Sequence, residues 1–255
     1  MNPDSNNEEH QEYSAGLVLV AGGTGSRFNS KTAASATTKQ RKQYVNLDGI
    51  PIYIHTLSKF INIKEILEIA VVLPEEDIEF IKNTLCKHFN EHNKLKFVIG
   101  GSERVYSVIN GFQSIKKNVD IVLIHDAVRP FIEENTIMQS MMEAQKNGAA
   151  IVAVPVKDTL KLADGNSMIE KTLNRQQLYS AQTPQVFKRD IFEKAVGNWK
   201  KIGEPAVTDD AMLVELMNEK VKIVMGSYIN IKITNAEDMI LAQAILLSQQ
   251  KQKQK

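Results

Sequence analysis

The residues Ala21-Gly22-Gly23-Thr24-Gly25-Ser26-Arg27 follow directly on the apolar run at 16–20. Glycines at 22, 23 and 25 let backbone amides turn toward a phosphate without steric cost, and a strand end is where such a nest forms. The spacing fits neither Gly-x-Gly-x-x-Gly nor a phosphate loop ending in Gly-Lys-Ser/Thr, which argues against dinucleotide and P-loop chemistry. Positive charge comes next: Arg27, Lys31, Lys39, Arg41 and Lys42, with no acidic residue between 27 and 42. Cations gathered beside a glycine loop suit a triphosphate. A tight turn followed by a solvated basic loop is the plainer reading, and it describes Lys31 and Lys39.

Three further groupings carry chemistry. Gly100-Gly101-Ser102-Glu103-Arg104-x-x-Ser107 stands where a strand enters a helix; glycines there allow close approach of a base or phosphate, and a helix N-terminus favours anions. A purely structural turn is an equal alternative for it. His125-Asp126-Ala127-Val128-Arg129-Pro130 follows the apolar run at 121–124. A strand-end aspartate in a phosphate-handling fold suits Mg²⁺, which keeps several waters and uses few carboxylates; an Asp–Arg pair that fixes the loop is the structural alternative, and His125 reads as a packed histidine. The last grouping is spread out: Thr159, Arg175 and Thr183, with Lys232 in Asn230-Ile-Lys-Ile-Thr234. Basic and hydroxyl groups in a stretch with little core to build suit a small phosphorylated, hydroxylated ligand.

These groups need a frame. Short apolar runs alternate with amphipathic segments: strands at 16–20, 66–73, 95–99, 120–124 and 149–154, and helices near 52–60, 78–89, 105–115, 137–144, 208–218 and 236–247. Near-continuous apolar strands alternating with helices predict an α/β fold, a Rossmann-like, mostly parallel sheet with helices on both faces and ligands at the carboxyl ends of the strands. Residues 156–179 are polar and turn-rich and read as a protruding β-arm. One domain over 15–247 is expected, with polar tails at 1–14 and 248–255. Thr234-x-x-Glu237 has the spacing of a capping box. The single cysteine, Cys86, excludes an intramolecular disulfide and, from its apolar setting, reads as a buried thiol. A net charge of +1 marks neither a nucleic-acid nor a membrane binder. No apolar run approaches a membrane span and the start lacks signal-peptide features, so a cytoplasmic protein is expected.

Taken in order, AGGTGSRF, RKQY, GGSERVYSV, HDAVRPF, PVKDTLK, TLNRQQLYSAQTPQVF, TDDA and NIKIT resemble the 2-C-methyl-D-erythritol 4-phosphate cytidylyltransferases across about 16–247. The resemblance implies transfer of CMP from CTP to the polyol phosphate, with Mg²⁺, in a homodimer that exchanges its β-arms. It implies that Ala21, Gly22, Gly23, Gly25, Gly101, Ser102 and Ser107 lie along the nucleotide, and that Arg27 and Lys42 stabilise the transition state. Asp126 would organise Mg²⁺ and the ribose–phosphate region beside Arg129. Thr159, Arg175, Thr183 and Lys232 would position the acceptor, Thr159 and Arg175 coming from the partner chain. The chain departs from the pattern at Arg41-Lys42-Gln43, where relatives have Pro-Lys-Gln, in a Ser/Thr/Ala-rich stretch before Lys42, and at Ser102, where many relatives carry Asp. A ribitol 5-phosphate cytidylyltransferase is the nearest alternative, and a nucleotide-binding regulator without catalysis is the alternative of another class.

Overall fold

The computed structural model describes residues 13–22, 44–89 and 92–253. Arg27 and Lys42, with Gly23, Gly25 and the cations between them, lie outside the described residues.

Seven strands form one sheet: β1 (Ala15–Val20), β4 (Ile66–Leu73), β5 (Leu95–Ile99), β6 (Ile121–Asp126), β7 (Ala149–Pro155), β10 (Tyr179–Lys188) and β11 (Lys222–Met225), in the order β11-β7-β10-β6-β1-β4-β5. Period-two burial explains the two layers around it. Leu17, Leu19, Ile69, Val71, Ile121 and Leu123 point to one face, and Val18, Ala70, Val72, Val122 and Ile124 to the other. The first face is covered by α1 (Ile52–Leu57), α2 (Ile78–His88) and α4 (Glu134–Asn147) through Tyr53, Leu85 and Met141. The second is covered by α3 (Arg104–Ser114), α5 (Arg189–Lys201) and α6 (Ala211–Glu215) through Phe112, Trp199 and Leu213.

β1 pairs in parallel with both β4 and β6, so the chain steps outward to β5 on one side of β1 and then restarts on the other. That reversal is the topological switch point, the crevice where open α/β sheets take ligands. The register puts Val20 opposite Asp126, so the glycine loop after β1 and the aspartate ending β6 leave the sheet side by side.

β10 is the exception to parallel pairing, running antiparallel to both β6 and β7. The chain leaves β7 at Pro155 and re-enters the sheet at Tyr179, its register partner, with no crossover helix between. A direct return of that kind can only be antiparallel. The segment between them is the expected arm, carrying a separate hairpin of β8 (Lys161–Ala163) and β9 (Ile169–Thr172) whose residues are exposed throughout. A small hairpin of β2 (Asn46–Leu47) and β3 (Ile50–Pro51) precedes α1. A third core cluster joins Leu47 and Ile52 to Val128, Phe131 and Ile233, and to Ala242 and Ile245 of α7 (Ala236–Lys253).

Three local expectations are corrected. The helix expected to stop at Leu247 runs to Lys253, because Gln and Lys propagate a formed helix cheaply, and Gln250 Nε2 donates to Asp48 Oδ2 at 2.9 Å. Its capping box is shifted by one residue: Asn235 Oδ1 accepts from Asp238 N at 2.9 Å and Asp238 Oδ2 accepts from Asn235 N at 3.0 Å. Thr234 instead donates its hydroxyl to Asp238 Oδ2, so it serves as donor and not as cap acceptor. Cys86 is exposed, since Ile81 and Leu85 take the buried face of α2 and the next position is turned about 100° away.

Glu68 is the charge that ties β4 to β5 and to the end of α3. Its Oε2 accepts from Lys96 Nζ and from Lys116 N, both at 2.9 Å, and its Oε1 pairs with Lys116 Nζ at 3.0 Å. Burial pushes the carboxyl up, but the Lys116 amide and the two ammonium groups outweigh it and leave it below its ordinary 4.5. A depressed folded value gives stability that is present above pH 4.5 and is lost as pH falls through the folded value. Glu68→Gln is expected to cost about 1–3 kcal/mol at neutral pH, with the gap to the parent narrowing in acid. Urea denaturation at pH 7 and pH 3.5 reads this; a gap that stays constant would mean the carboxylate charge contributes nothing.

Candidate active site

Asp126 ends β6 at the switch point, buried, and three cations from separate parts of the chain meet its carboxylate. Lys232 Nζ lies 2.7 Å from Oδ2, Arg104 Nε 3.2 Å from Oδ1, and Arg129 Nε 3.7 Å from Oδ2. The last distance is an electrostatic contact and too long for a hydrogen bond. Burial alone would raise the Asp126 carboxyl; Arg104, Lys232 and Arg129 outweigh it and hold the group well below the usual carboxylate range, so it is ionised.

Each cation is placed by its own neighbours. Arg129 follows β6 by one turn and donates Nη1 to the Asn230 carbonyl at 2.9 Å. Lys232 comes from the loop before α7, where the buried Ile233 donates its amide to Val128 O at 3.0 Å and joins the third core cluster. Asn230 Nδ2 ties the same loop to β10 through Gln182 Oε1 at 3.1 Å and Thr183 O at 3.0 Å. Lys232 is thus delivered to Asp126 by anchors on both sides of it.

Thr183 and His125 hold the aspartate from below. Thr183 Oγ1 accepts from Asp126 N at 3.2 Å and lies 3.0 Å from His125 Nδ1. His125 Nε2 lies 3.2 Å from Arg129 O, which can only accept, so Nε2 carries the proton and the Thr183 hydroxyl donates to Nδ1. Burial lowers His125 to about 3, and the ring packs on Phe60 at 4.8 Å. His125 is the packed histidine expected, and Thr183, itself buried, meets the site through the Asp126 backbone.

Of the residues that the resemblance sets along a nucleotide, the described ones line the neighbouring strand ends. Ala21 N donates to Val72 O at 2.9 Å and Gly100 N to Leu73 O at 2.8 Å. Ser107 Oγ accepts from Gly101 N at 3.0 Å, closing the loop onto the first turn of α3, and lies close to Gly22. Gly101 and Ser102 are exposed at the mouth of the crevice. Ala21, Gly22, Gly101, Ser107, Asp126, Arg129, Thr183 and Lys232 are therefore brought to one end of the sheet. Thr159 and Arg175 are not: both are exposed on the arm, where Arg175 Nη1 donates to Lys157 O.

Two residues of the cluster carry no role in the sequence reading. Arg104 grips Asp210 with both terminal nitrogens, at 2.9 and 2.8 Å, while its Nε reaches Asp126. Both lie in motifs quoted above, GGSERVYSV and TDDA. Their pairing spans 106 positions, so spacing alone carries no signal of it.

A divalent cation, implied by the resemblance, takes one or two carboxylates and fills its other positions with phosphate and water. Among the described residues no three His, Cys, Asp or Glu side chains converge as a metal cage. Among the described residues Asp126 Oδ1 receives the Arg104 bond alone and keeps a lone pair, so the donors fit Mg²⁺ shared between one carboxylate and a ligand's phosphates.

A switch point with a glycine loop on one strand and a cation-ringed carboxylate on the next defines a doubly wound α/β protein built to hold an anionic ligand. The profile of the IspD family, described as 2-C-methyl-D-erythritol 4-phosphate cytidylyltransferase, matches residues 16–248. A protein of that description from Alkaliphilus metalliredigens is 40% identical over 233 residues, covering 90% of this chain and 92% of its own. The chloroplastic one from Oryza sativa is 36% identical, covering 94% of this chain and 76% of its own. The crystal structure of 4-diphosphocytidyl-2C-methyl-D-erythritol synthase from Anaerococcus prevotii superposes with a TM-score of 0.79 at 32% identity, over 92% of this chain and 97% of that one. The chain belongs to the 2-C-methyl-D-erythritol 4-phosphate cytidylyltransferase family. Among the described residues no helix is long and apolar enough to cross a membrane.

Proposed function

We propose that the protein transfers CMP from CTP to 2-C-methyl-D-erythritol 4-phosphate, releasing pyrophosphate and 4-diphosphocytidyl-2-C-methyl-D-erythritol, as a cytoplasmic homodimer. The observation that carries this reading is Lys232 held against Asp126 at the switch point, beside the loop that follows β1. A phosphate monoester is already largely dianionic at neutral pH, with a second pKa of about 6, so the acceptor needs no general base. Neutral, buried His125 is not asked to be one. Bringing two polyanions together and spreading charge over the reacting phosphoryl group is the remaining task, and positioning with fixed cations does it.

In this reading Ala21, Gly22, Gly23, Gly25, Gly101, Ser102 and Ser107 hold the nucleotide, and Arg27 and Lys42 neutralise the reacting phosphates. Asp126 would hold Mg²⁺, which would supply neutralising charge at the phosphates. Lys232 and Arg129 meet the acceptor side, and Thr183 keeps Asp126 in place. Thr159 and Arg175 reach the acceptor from the partner's arm. Exposed Leu162, Met168 and Ile169 support an arm made to be covered by another chain. Pyrophosphate release from CTP and Mg²⁺ with methylerythritol phosphate, and not with ribitol 5-phosphate, is the expected result. CTP binding without release from either acceptor would leave only a nucleotide-binding regulator.

Arg175→Ala is expected to raise KM for the polyol phosphate by about tenfold or more while the Kd for CTP stays within about threefold. Steady-state kinetics and CTP calorimetry read the two, and equal weakening of both ligands would contradict the division of labour.

A further inference from the structure

We infer that Arg104 is a positioning residue for the acceptor half of this site: it holds the Asp126 carboxylate so that Lys232 stays available to the acceptor's phosphate. The inference rests on the functional reading above and deepens it.

The guanidinium bridges two buried carboxylates. Its Nη1 and Nη2 meet Asp210 at 2.9 and 2.8 Å, and its Nε meets Asp126 Oδ1 at 3.2 Å. Asp210 is fixed in turn by Gln185 of β10, whose Oε1 accepts from Asp210 N at 3.0 Å and from Ala211 N at 2.9 Å. Gln185 Nε2 donates to Asp209 Oδ2 at 2.8 Å, so the amide uses both ends on this one turn. A rigid line therefore runs from the middle of the sheet through Asp210 and Arg104 to Asp126. Only a planar fork can make the two-pronged bond to one carboxylate and keep a third donor for another.

The consequence falls on Lys232. Its ammonium takes Asp126 Oδ2 at 2.7 Å, and Arg104 occupies the other oxygen. Without Arg104 both oxygens turn to Lys232 and Arg129, and the lysine is neutralised where it is needed as a cation. A phosphate arriving beside it would then compete with a whole carboxylate instead of half of one. The nucleotide side has an anchor of its own in the Gly101–Ser107 bond.

A buried ion pair lost on both sides leaves no orphaned charge, so Arg104→Met/Asp210→Met separates positioning from folding. The double variant is expected to fold, to bind CTP with Mg²⁺ with a Kd within about threefold of the parent, and to show an acceptor KM raised about tenfold or more. Arg104→Lys, which keeps the charge and loses the fork, is expected to shift acceptor KM in the same direction and serves if the double variant does not fold. An acceptor KM within about threefold of the parent in a folded variant overturns the inference, because Arg104 would then be structural only. A parent protein that releases no pyrophosphate with methylerythritol phosphate fails the functional reading itself, and this inference with it. A parent that turns over, with variants that behave like it, fails the inference alone.

Discussion

Asp126→Asn is expected to lower kcat by about two orders of magnitude and to cost about 3 kcal/mol of stability, because one carboxylate serves three cations. Arg104, Arg129 and Lys232 reach it from α3, from the turn after β6 and from the loop before α7. An asparagine keeps the shape, so the backbone amide can still donate to Thr183 and β6 can still pair with β1. It turns one acceptor oxygen into a donor, however, and aims N–H groups at a cation. Asp210 remains as the counter-charge of Arg104 alone. Removing one partner of a buried ionic group leaves the others uncompensated, which is the costly direction of change. For turnover, the proposed Mg²⁺ ligand is lost and Lys232 loses its fixed direction. Denaturant unfolding gives the first quantity and pyrophosphate release at saturating substrates the second. Loss of stability with near-parent kcat would make Asp126 a structural counter-ion only, and unchanged stability would mean the three cations are already paired by solvent.

Much of this frame was legible because it follows from periodicity. β1, β4, β6 and β7 are apolar runs buried on nearly every residue, and a parallel sheet covered on both faces leaves that trace in composition; β5, at the sheet edge, is apolar but only partly buried. β10 left no such trace, since Gln182, Thr183 and Gln185 sit among its buried residues and satisfy the site and the sheet at once. Polar residues in the middle of a sheet read as loop from sequence, and here they hold Asp126, Asn230 and the turn at 209–211. α5 was legible in principle: Phe192, Ala195, Val196 and Trp199 repeat at helical spacing and are buried, but the segment between two motifs drew no assignment. β11 is a four-residue edge with only Val224 buried, too short for any period to emerge. In the site, the strand-end positions of Gly22, Gly101 and Asp126 follow from local pattern. The Arg104–Asp210 fork and the seating of Lys232 depend on long-range pairing, which residue types cannot encode.

Gly101→Ala is expected to weaken CTP binding by between about tenfold and a hundredfold, roughly 1.4–2.7 kcal/mol, with little change in global stability. The reason is room, not backbone freedom. A Cβ at 101 would stand 2.3 Å from Tyr106 Cβ and 3.1 Å from the Tyr106 carbonyl carbon, inside the first turn of α3. Those atoms cannot swing aside as a side-chain tip can: Tyr106 packs on Trp199 at 5.6 Å between ring centres, and its hydroxyl donates to Glu204 at 2.6 Å. The loop must move instead, and the Gly101 N to Ser107 Oγ bond of 3.0 Å that shapes the crevice mouth goes with it. Because residue 101 is exposed and outside all three core clusters, the fold bears the shift while the ligand surface does not. Calorimetric titration with CTP and Mg²⁺, beside a thermal melt, tests both halves. An unchanged Kd would show that the nucleotide does not rest on this turn, and would move its seat to the loop after β1 alone.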